Sequence, residues 1–203
     1  MRNVTVWIWL LFVAAPGWAV DCAALKFRGQ GYTACTVDVR HDDIRLFLRA
    51  PGAAPYGDFS ALNSALAQQN LTLSFAMNAG MYHPDRSPVG YYVERGMTQM
   101  RLLTRASGGN FGLLPNGVIC VTDQTIEVIE TLKFAARDLA CRFASQSGPM
   151  LVIDGALHPR FLKDSRSRYI RNGVGMRAGG WQAIFVMSNS FVTLHEFASL
   201  FKD

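Results

Sequence analysis

The stretch Phe111-Gly112-Leu113-Leu114-Pro115-Asn116-Gly117-Val118-Ile119-Cys120-Val121 sets two short apolar runs on either side of Pro-Asn-Gly. Asn-Gly tolerates positive φ, so a hairpin joining Phe111–Leu114 to Val118–Val121 is the expectation. Moving outward from it, short apolar runs broken by turn residues recur along the chain. Downstream lie Thr125–Ile129, Pro149–Ile153, Tyr169–Met176 and Trp181–Met187, which read as strands. Upstream, Leu71–Met77 and Gly90–Glu94 read the same way, and Tyr32–Val39 with Ile44–Leu48 reads as a second hairpin around the polar His41-Asp42-Asp43. Helices are few. Asp58 can cap a short one whose Phe59, Leu62 and Leu66 share a face. Thr193-Leu194-His195-Glu196 is a capping box opening another, which buries Phe197, Leu200 and Phe201. Strand after strand with few short helices inserted predicts an α+β fold built on a mixed, mostly antiparallel sheet.

The 203 residues are 50% hydrophobic and 17% charged, enough apolar content for a sizeable core, which excludes disorder, a collagen-like repeat and a coiled coil. No linker-like run or charge block divides the chain, so one domain is expected. A net charge of +5 suits an anionic ligand but falls short of the dense basic stripe of a nucleic-acid-binding domain. Residues 1–19 combine Arg2, the apolar core Val4–Ala15, a Pro16-Gly17 break and the small-x-small site Gly17-Trp18-Ala19. This is the pattern of a signal peptide, leaving residues 20–203 as the domain, with no stable membrane span after cleavage and a periplasmic or extracellular location. An uncleaved N-terminal anchor is the alternative. In an oxidising compartment Cys22, Cys35, Cys120 and Cys141 become candidates for two disulfides. Of the possible connectivities, Cys22–Cys35 with Cys120–Cys141 closes short loops that flank predicted strands; free buried thiols are the other reading. No CxxC, HExxH or HxH spacing supports zinc, and no EF-hand-like loop supports calcium, so no cofactor is expected.

The polar, glycine-bearing turns between the runs are where chemistry is expected. Asn78-Ala79-Gly80-Met81-Tyr82 follows one predicted strand and Pro88-Val89-Gly90 opens the next. Gly108-Gly109-Asn110-Phe111, Gln146-Ser147-Gly148-Pro149 and Arg171-Asn172-Gly173-Val174-Gly175 repeat the theme. Glycine permits close backbone approach, and an asparagine amide both donates and accepts. Taken singly, each of these is an ordinary tight turn. From Arg160 to Arg177 six basic residues (Arg160, Lys163, Arg166, Arg168, Arg171, Arg177) face one acid, Asp164. Arg171 stands out, because inside a strand-like run its guanidinium can be held for bidentate binding of an oxyanion; a buried arginine tied to backbone carbonyls is the competing reading.

In order and spacing these turns resemble the phosphodiester glycosidase domain of the uncovering enzyme, N-acetylglucosamine-1-phosphodiester α-N-acetylglucosaminidase, and its bacterial secreted relatives. The matching stretches are Phe75–Tyr82, Pro88–Gly90, Gly109–Phe111 with Pro115–Val118, Gln146–Val152, Ile170–Gly175 and the tail Val192–Phe201, so the resemblance spans about Tyr32 to Asp203. It implies hydrolysis of a sugar-1-phosphodiester, releasing the sugar from a phosphate that stays on the other partner; the expected partner is such a sugar-phosphodiester or an anionic glycan. A phosphate leaving group is already stable as an anion, so such a site needs positive charge and N–H donors more than a strong general acid. Arg171, Asn172 and backbone donors near Gly80 or Gly148 are assigned that task. A carboxylate is wanted for water or for the oxocarbenium-like centre. Asp154 leads, with Asp85 and Glu94 behind it, while a plain Asp154-Gly155 turn is an equal reading. Asn78, Asn110 and Ser147 are assigned to substrate contact by the resemblance. Relatives continue past the last helix into a strand with a Leu-Asp-Gly-like element, whereas this sequence stops at Asp203. That leaves open a truncated copy and a non-catalytic binding module for anionic glycans or cell-wall phosphodiesters. A serine hydrolase using Ser147 with His158 or His195 lacks a GxSxG elbow.

Overall fold

A computed structural model describes residues 20–177 and 179–203; residues 1–19, where the signal-peptide reading falls, lie outside the described residues. The elements in chain order are β1 (Asp21–Phe27), β2 (Gln30–Asp38), α1 (Phe59–Ala67), β3 (Tyr92–Glu94), β4 (Met97–Met100), β5 (Gly117–Val121) and β6 (Ile126–Glu130). Then follow α2 (Thr131–Ala135), β7 (Phe143–Ser147), β8 (Val152–Ile153), β9 (Ala156–Leu157), β10 (Asn172–Met176), β11 (Gln182–Ser188) and α3 (Leu194–Lys202). The fold is α+β and mostly sheet. One sheet has the order β1-β2-β11-β10, a second β4-β3-β7-β5-β6, and β8-β9 is a separate hairpin. Every ladder among these strands is antiparallel.

Three apolar clusters hold the layers. In the first, Phe134 of α2 packs with Val93, Val118, Ile129 and Ala144 of the second sheet and with the disulfide-bonded Cys120 and Cys141. In the second, Phe197 of α3 joins Tyr32, Val186 and Val192, with Leu200 and Phe201 against them. The third joins the two sheets: Val121, Ile126 and Phe143 meet Ala183, Val174 and Phe185. Burying one side chain of the size of Phe197 stabilises by about 1.5–3 kcal/mol, so these contacts fix how the sheets stand to each other. Both expected disulfides are present, Cys22–Cys35 across the β1–β2 pair and Cys120–Cys141 between β5 and the approach to β7.

The predicted helices form with their predicted caps. The Asp58 side chain accepts from Ala61 N at 2.8 Å, with Leu62 and Leu66 buried and Phe59 left exposed. Thr193 and Glu196 close a reciprocal capping box on α3. Two predicted hairpins do not form, for one physical reason. Val118–Val121 lies in a central strand whose edges are taken by β6 and β7, so Phe111–Leu114 finds no edge to pair with and turns away as irregular chain. Tyr32–Val39 likewise corresponds to β2, flanked by β1 and β11, and Ile44–Leu48 becomes loop. Leu71–Met77 also forms no ladder; it is half-exposed chain, anchored by Phe75, whose ring lies 5.4 Å from that of Phe185. The strands β1, β4, β7 and β9 and the helix α2 are absent from the sequence reading.

Candidate active site

A cleft of about 1490 Å³ opens between the segments that carry the glycine-bearing turns, and residues of both larger sheets line it. Asn78, Gly80, Asn110, Ser147, Gly148, Arg171 and Asn172 all lie on its walls. The volume exceeds the roughly 300–1,000 Å³ of common small-ligand pockets, room for a sugar together with the group it is linked to.

Close backbone approach explains why the wall carries glycine. A Cβ at Gly80 would stand 2.6 Å from Ser145 Oγ and 2.9 Å from the carbonyl oxygen of Gln146, so the Asn78–Tyr82 segment can lie against β7 only without a side chain there. At Gly148 a Cβ would stand 2.5 Å from Asn116 Cβ. The two turns are thereby brought to neighbouring positions on one strand. Asn172, first residue of β10, ties the cleft from the other side: its Nδ2 donates to the carbonyl oxygen of Asn78 at 2.9 Å.

Arg171 is held rigidly. Its Nε donates to the Val192 carbonyl at 2.9 Å and Nη2 to the Ser167 carbonyl at 3.2 Å, its backbone N–H donates to Ser188 Oγ at 2.9 Å, and its guanidinium lies 5.5 Å over the Tyr169 ring. None of these partners is a carboxylate. This is the arrangement of the competing sequence reading, an arginine tied to backbone carbonyls; partial burial draws the guanidinium below the usual arginine value, the tyrosine opposing, and leaves a half-buried cation at the cleft wall. Such a cation favours an anionic ligand.

The carboxylates are placed differently. Asp154 lies outside the cleft wall, with φ of 49° in the two-residue Asp154-Gly155 turn that joins β8 to β9. Its side chain is 82% exposed and stands 3.9 Å from Lys133 Nζ, although Val152, two residues earlier, does line the cleft. Asp85 forms a local turn, accepting from Ser87 N and Oγ, and those bonds hold its carboxyl below the usual range. Glu94 is buried and accepts from Tyr92 OH at 3.0 Å and Leu48 N at 3.1 Å, pinning the irregular 44–48 segment. Of the cleft-lining acids, Asp42 caps Asp38 N, Asp43 pairs with Arg45, and Asp58 caps α1.

Sequence reasoning missed the polar cluster behind the wall. Gln146, 1% exposed, accepts from Tyr91 N and Leu103 N, both at 3.1 Å, and donates to Leu103 O at 2.6 Å, Thr131 Oγ1 at 3.1 Å and Asn116 Oδ1 at 3.3 Å. Asn116, assigned to a hairpin turn from the sequence, is buried at 1% and donates to the Phe111 carbonyl. The available signal was the alternation of Phe143-Ala144 with the polar Ser145-Gln146-Ser147 run, which the sequence reading took only as a polar turn. Among the described residues, no group of three or more His, Cys, Asp or Glu side chains is placed to hold a metal ion.

Residues 72–203, which include Asn78, Gly80, Asn110, Ser147, Gly148, Arg171 and Asn172, match the family described as phosphodiester glycosidase. The chain is also 30% identical over 193 residues to "Uncharacterized protein YigE" of Escherichia coli (strain K12), an alignment covering 94% of this chain and 75% of that protein.

Proposed function

Since the chain belongs to the phosphodiester glycosidase family, we propose that it hydrolyses the sugar–phosphate bond of a sugar-1-phosphodiester of the N-acetylglucosamine-1-phosphodiester type. The observation that carries this reading is the meeting, in one cleft, of the half-buried cation Arg171 with Asn78, Asn110, Ser147, Asn172 and the glycine turns at Gly80 and Gly148. Arg171 and Asn172 take the phosphate oxygens and stabilise the charge that collects on them as the sugar departs. Asn78, Asn110 and Ser147 hold the sugar hydroxyls. Asp154 is assigned to activate the attacking water although it stands outside the cleft wall beside Lys133, because Val152 of the same β8–β9 hairpin lines the cleft and the cleft-lining carboxylates Asp42, Asp43 and Asp58 are each held by a structural partner. The two disulfides support work in an oxidising compartment, periplasmic or extracellular.

Purified protein is expected to release reducing sugar from a synthetic N-acetylglucosamine-1-phosphodiester. Arg171→Ala should lower that rate about 10²–10³-fold, and Asp154→Asn about 10²-fold or more. The exposed hairpin position of Asp154 also favours a second reading, a non-catalytic module that binds anionic glycans or cell-wall phosphodiesters. No sugar release, with binding of the same compound retained in calorimetry and lost in Arg171→Ala, would select the module.

A further inference from the structure

Beside the cleft mouth, the segment 160–171 and the loop after β11 place exposed apolar side chains among cations. Leu162, Tyr169, Ile170 and Phe191 are 67%, 58%, 48% and 63% exposed. Three of these are joined through the backbone: Tyr169 and Val192 exchange N–H···O bonds of 3.1 and 2.9 Å, bringing Phe191 alongside Tyr169-Ile170, and Arg168 Nε donates to the Phe191 carbonyl at 3.3 Å. Arg168 is neutralised by Glu196 at 2.9 Å. Arg160, Lys163 and Arg166 have no carboxylate partner among the described residues, and Asp164 is the one acid in the segment. A turn closed by Ser165 N on the Leu162 carbonyl contains Leu162 and Lys163, and Arg166 follows it directly.

We propose that this rim docks the protein on an anionic phospholipid bilayer. Aromatic and aliphatic tips beside arginine and lysine suit the boundary between acyl chains and headgroups, where the apolar groups insert shallowly and the cations meet phosphate. The excess of unpaired cations selects an anionic surface over a neutral one. Ile170 and Arg171 belong both to this strip and to the cleft wall, so docking brings the cleft mouth to the bilayer. Docking does not require the hydrolase reading and fails or stands separately from it.

The test is cosedimentation of the full domain with vesicles containing phosphatidylglycerol and with vesicles of phosphatidylcholine alone. Binding to the first, weakened by salt and at least tenfold poorer to the second, is expected. Leu162→Ser with Phe191→Ser should lower partition about tenfold or more, since both tips lose their insertion. Lys163→Ser with Arg166→Ser should lower it by about five-fold per cation and remove much of the salt dependence. Met97→Ser, at an equally exposed residue of the other sheet, serves as the control and should bind as the parent does. Absence of binding to anionic vesicles at low salt, equal binding to both vesicle types, or rim variants that bind like the control would each overturn the proposal.

Discussion

Replacing Gln146 with methionine keeps the side chain's length while deleting its hydrogen bonds, and the resulting loss can be worked out group by group. Asn116 and Thr131 keep partners without it, because Thr131 Oγ1 still donates to Asn116 Oδ1 at 2.7 Å and Asn116 Nδ2 to the Phe111 carbonyl at 3.1 Å. Three backbone groups lose theirs: the Tyr91 N–H, the Leu103 N–H and the Leu103 carbonyl. A polar group stranded inside a protein costs about 1–3 kcal/mol. Tyr91 and Leu103 are half-buried, so the low end applies and the sum is about 3 kcal/mol. Against a total stability of about 5–15 kcal/mol this is a large fraction. In urea unfolding followed by fluorescence, with a slope near 2 kcal/mol per M, the midpoint should fall by about 1.5 M at unchanged slope. A fall of less than about 0.5 M would refute the reasoning, since the three groups would then be satisfied by something other than Gln146.

Three further outcomes follow from other parts of the molecule. The Cys120–Cys141 bridge spans 21 residues, so Cys120→Ala with Cys141→Ala should cost about 3 kcal/mol in the same assay, and reductant should give no further loss in that variant at this bridge. Burial holds the neutral form of His158 by lowering its pKa, with Nδ1 accepting from Arg160 N. The unfolded chain binds the proton first, so stability is intact above about pH 6.5 and falls as pH drops through that value until folded His158 itself protonates. Urea midpoints across this range should show that slope, and His158→Gln should flatten it; an unchanged slope in the variant counts against His158 as the source. Gly173→Ala places a Cβ 2.9 Å from Phe197 Cε1 and 3.3 Å from Phe201 Cζ, an overpacking cost of about 1–3 kcal/mol. Because α3 must then shift against the strand that carries Asn172, KM should rise along with the loss of stability, and an unaltered KM would separate the two.

The fold class, the capped helices and both disulfides were legible in the sequence because each rests on local chemistry. Asp58 and Thr193 sit at fixed offsets from the N–H groups they cap, and each cysteine pair closes a short loop, 13 and 21 residues apart in sequence. Pairing was not legible. A run such as Val118–Val121 has two edges, and which segments occupy them depends on β6 and β7, whose claims do not register in the run itself. Hence Asn116-Gly117, with strong turn chemistry, ends up as a buried amide and the start of a central strand. The site divides the same way. Turns carrying glycine and asparagine could be marked as approaching something closely, and the cleft gathers them. Gln146 was legible only as part of a polar turn; that it fastens the Tyr91 and Leu103 segments behind the wall could not be read, because those partners are 55 and 43 residues away in sequence.

The glycine turns therefore serve packing and chemistry through one requirement. Gly80 is small because Ser145 Oγ and the Gln146 carbonyl of β7 occupy the space a Cβ would need, and Gly148 because Asn116 Cβ and the Phe111 carbonyl do. An apolar β7 could pack as well with larger neighbours, yet it would leave the Tyr91 and Leu103 backbone groups unpaired and the Asn78–Tyr82 segment without a seat. The polar interior of β7 fixes where the loops stand, and the loops fix where Asn78 meets Asn172. Positioning at that level is needed when stabilisation of a departing phosphate depends on donors held in place rather than on a side chain that moves. Under the proposed function, substitutions behind the wall at Gln146 and Asn116 should weaken the site without touching substrate.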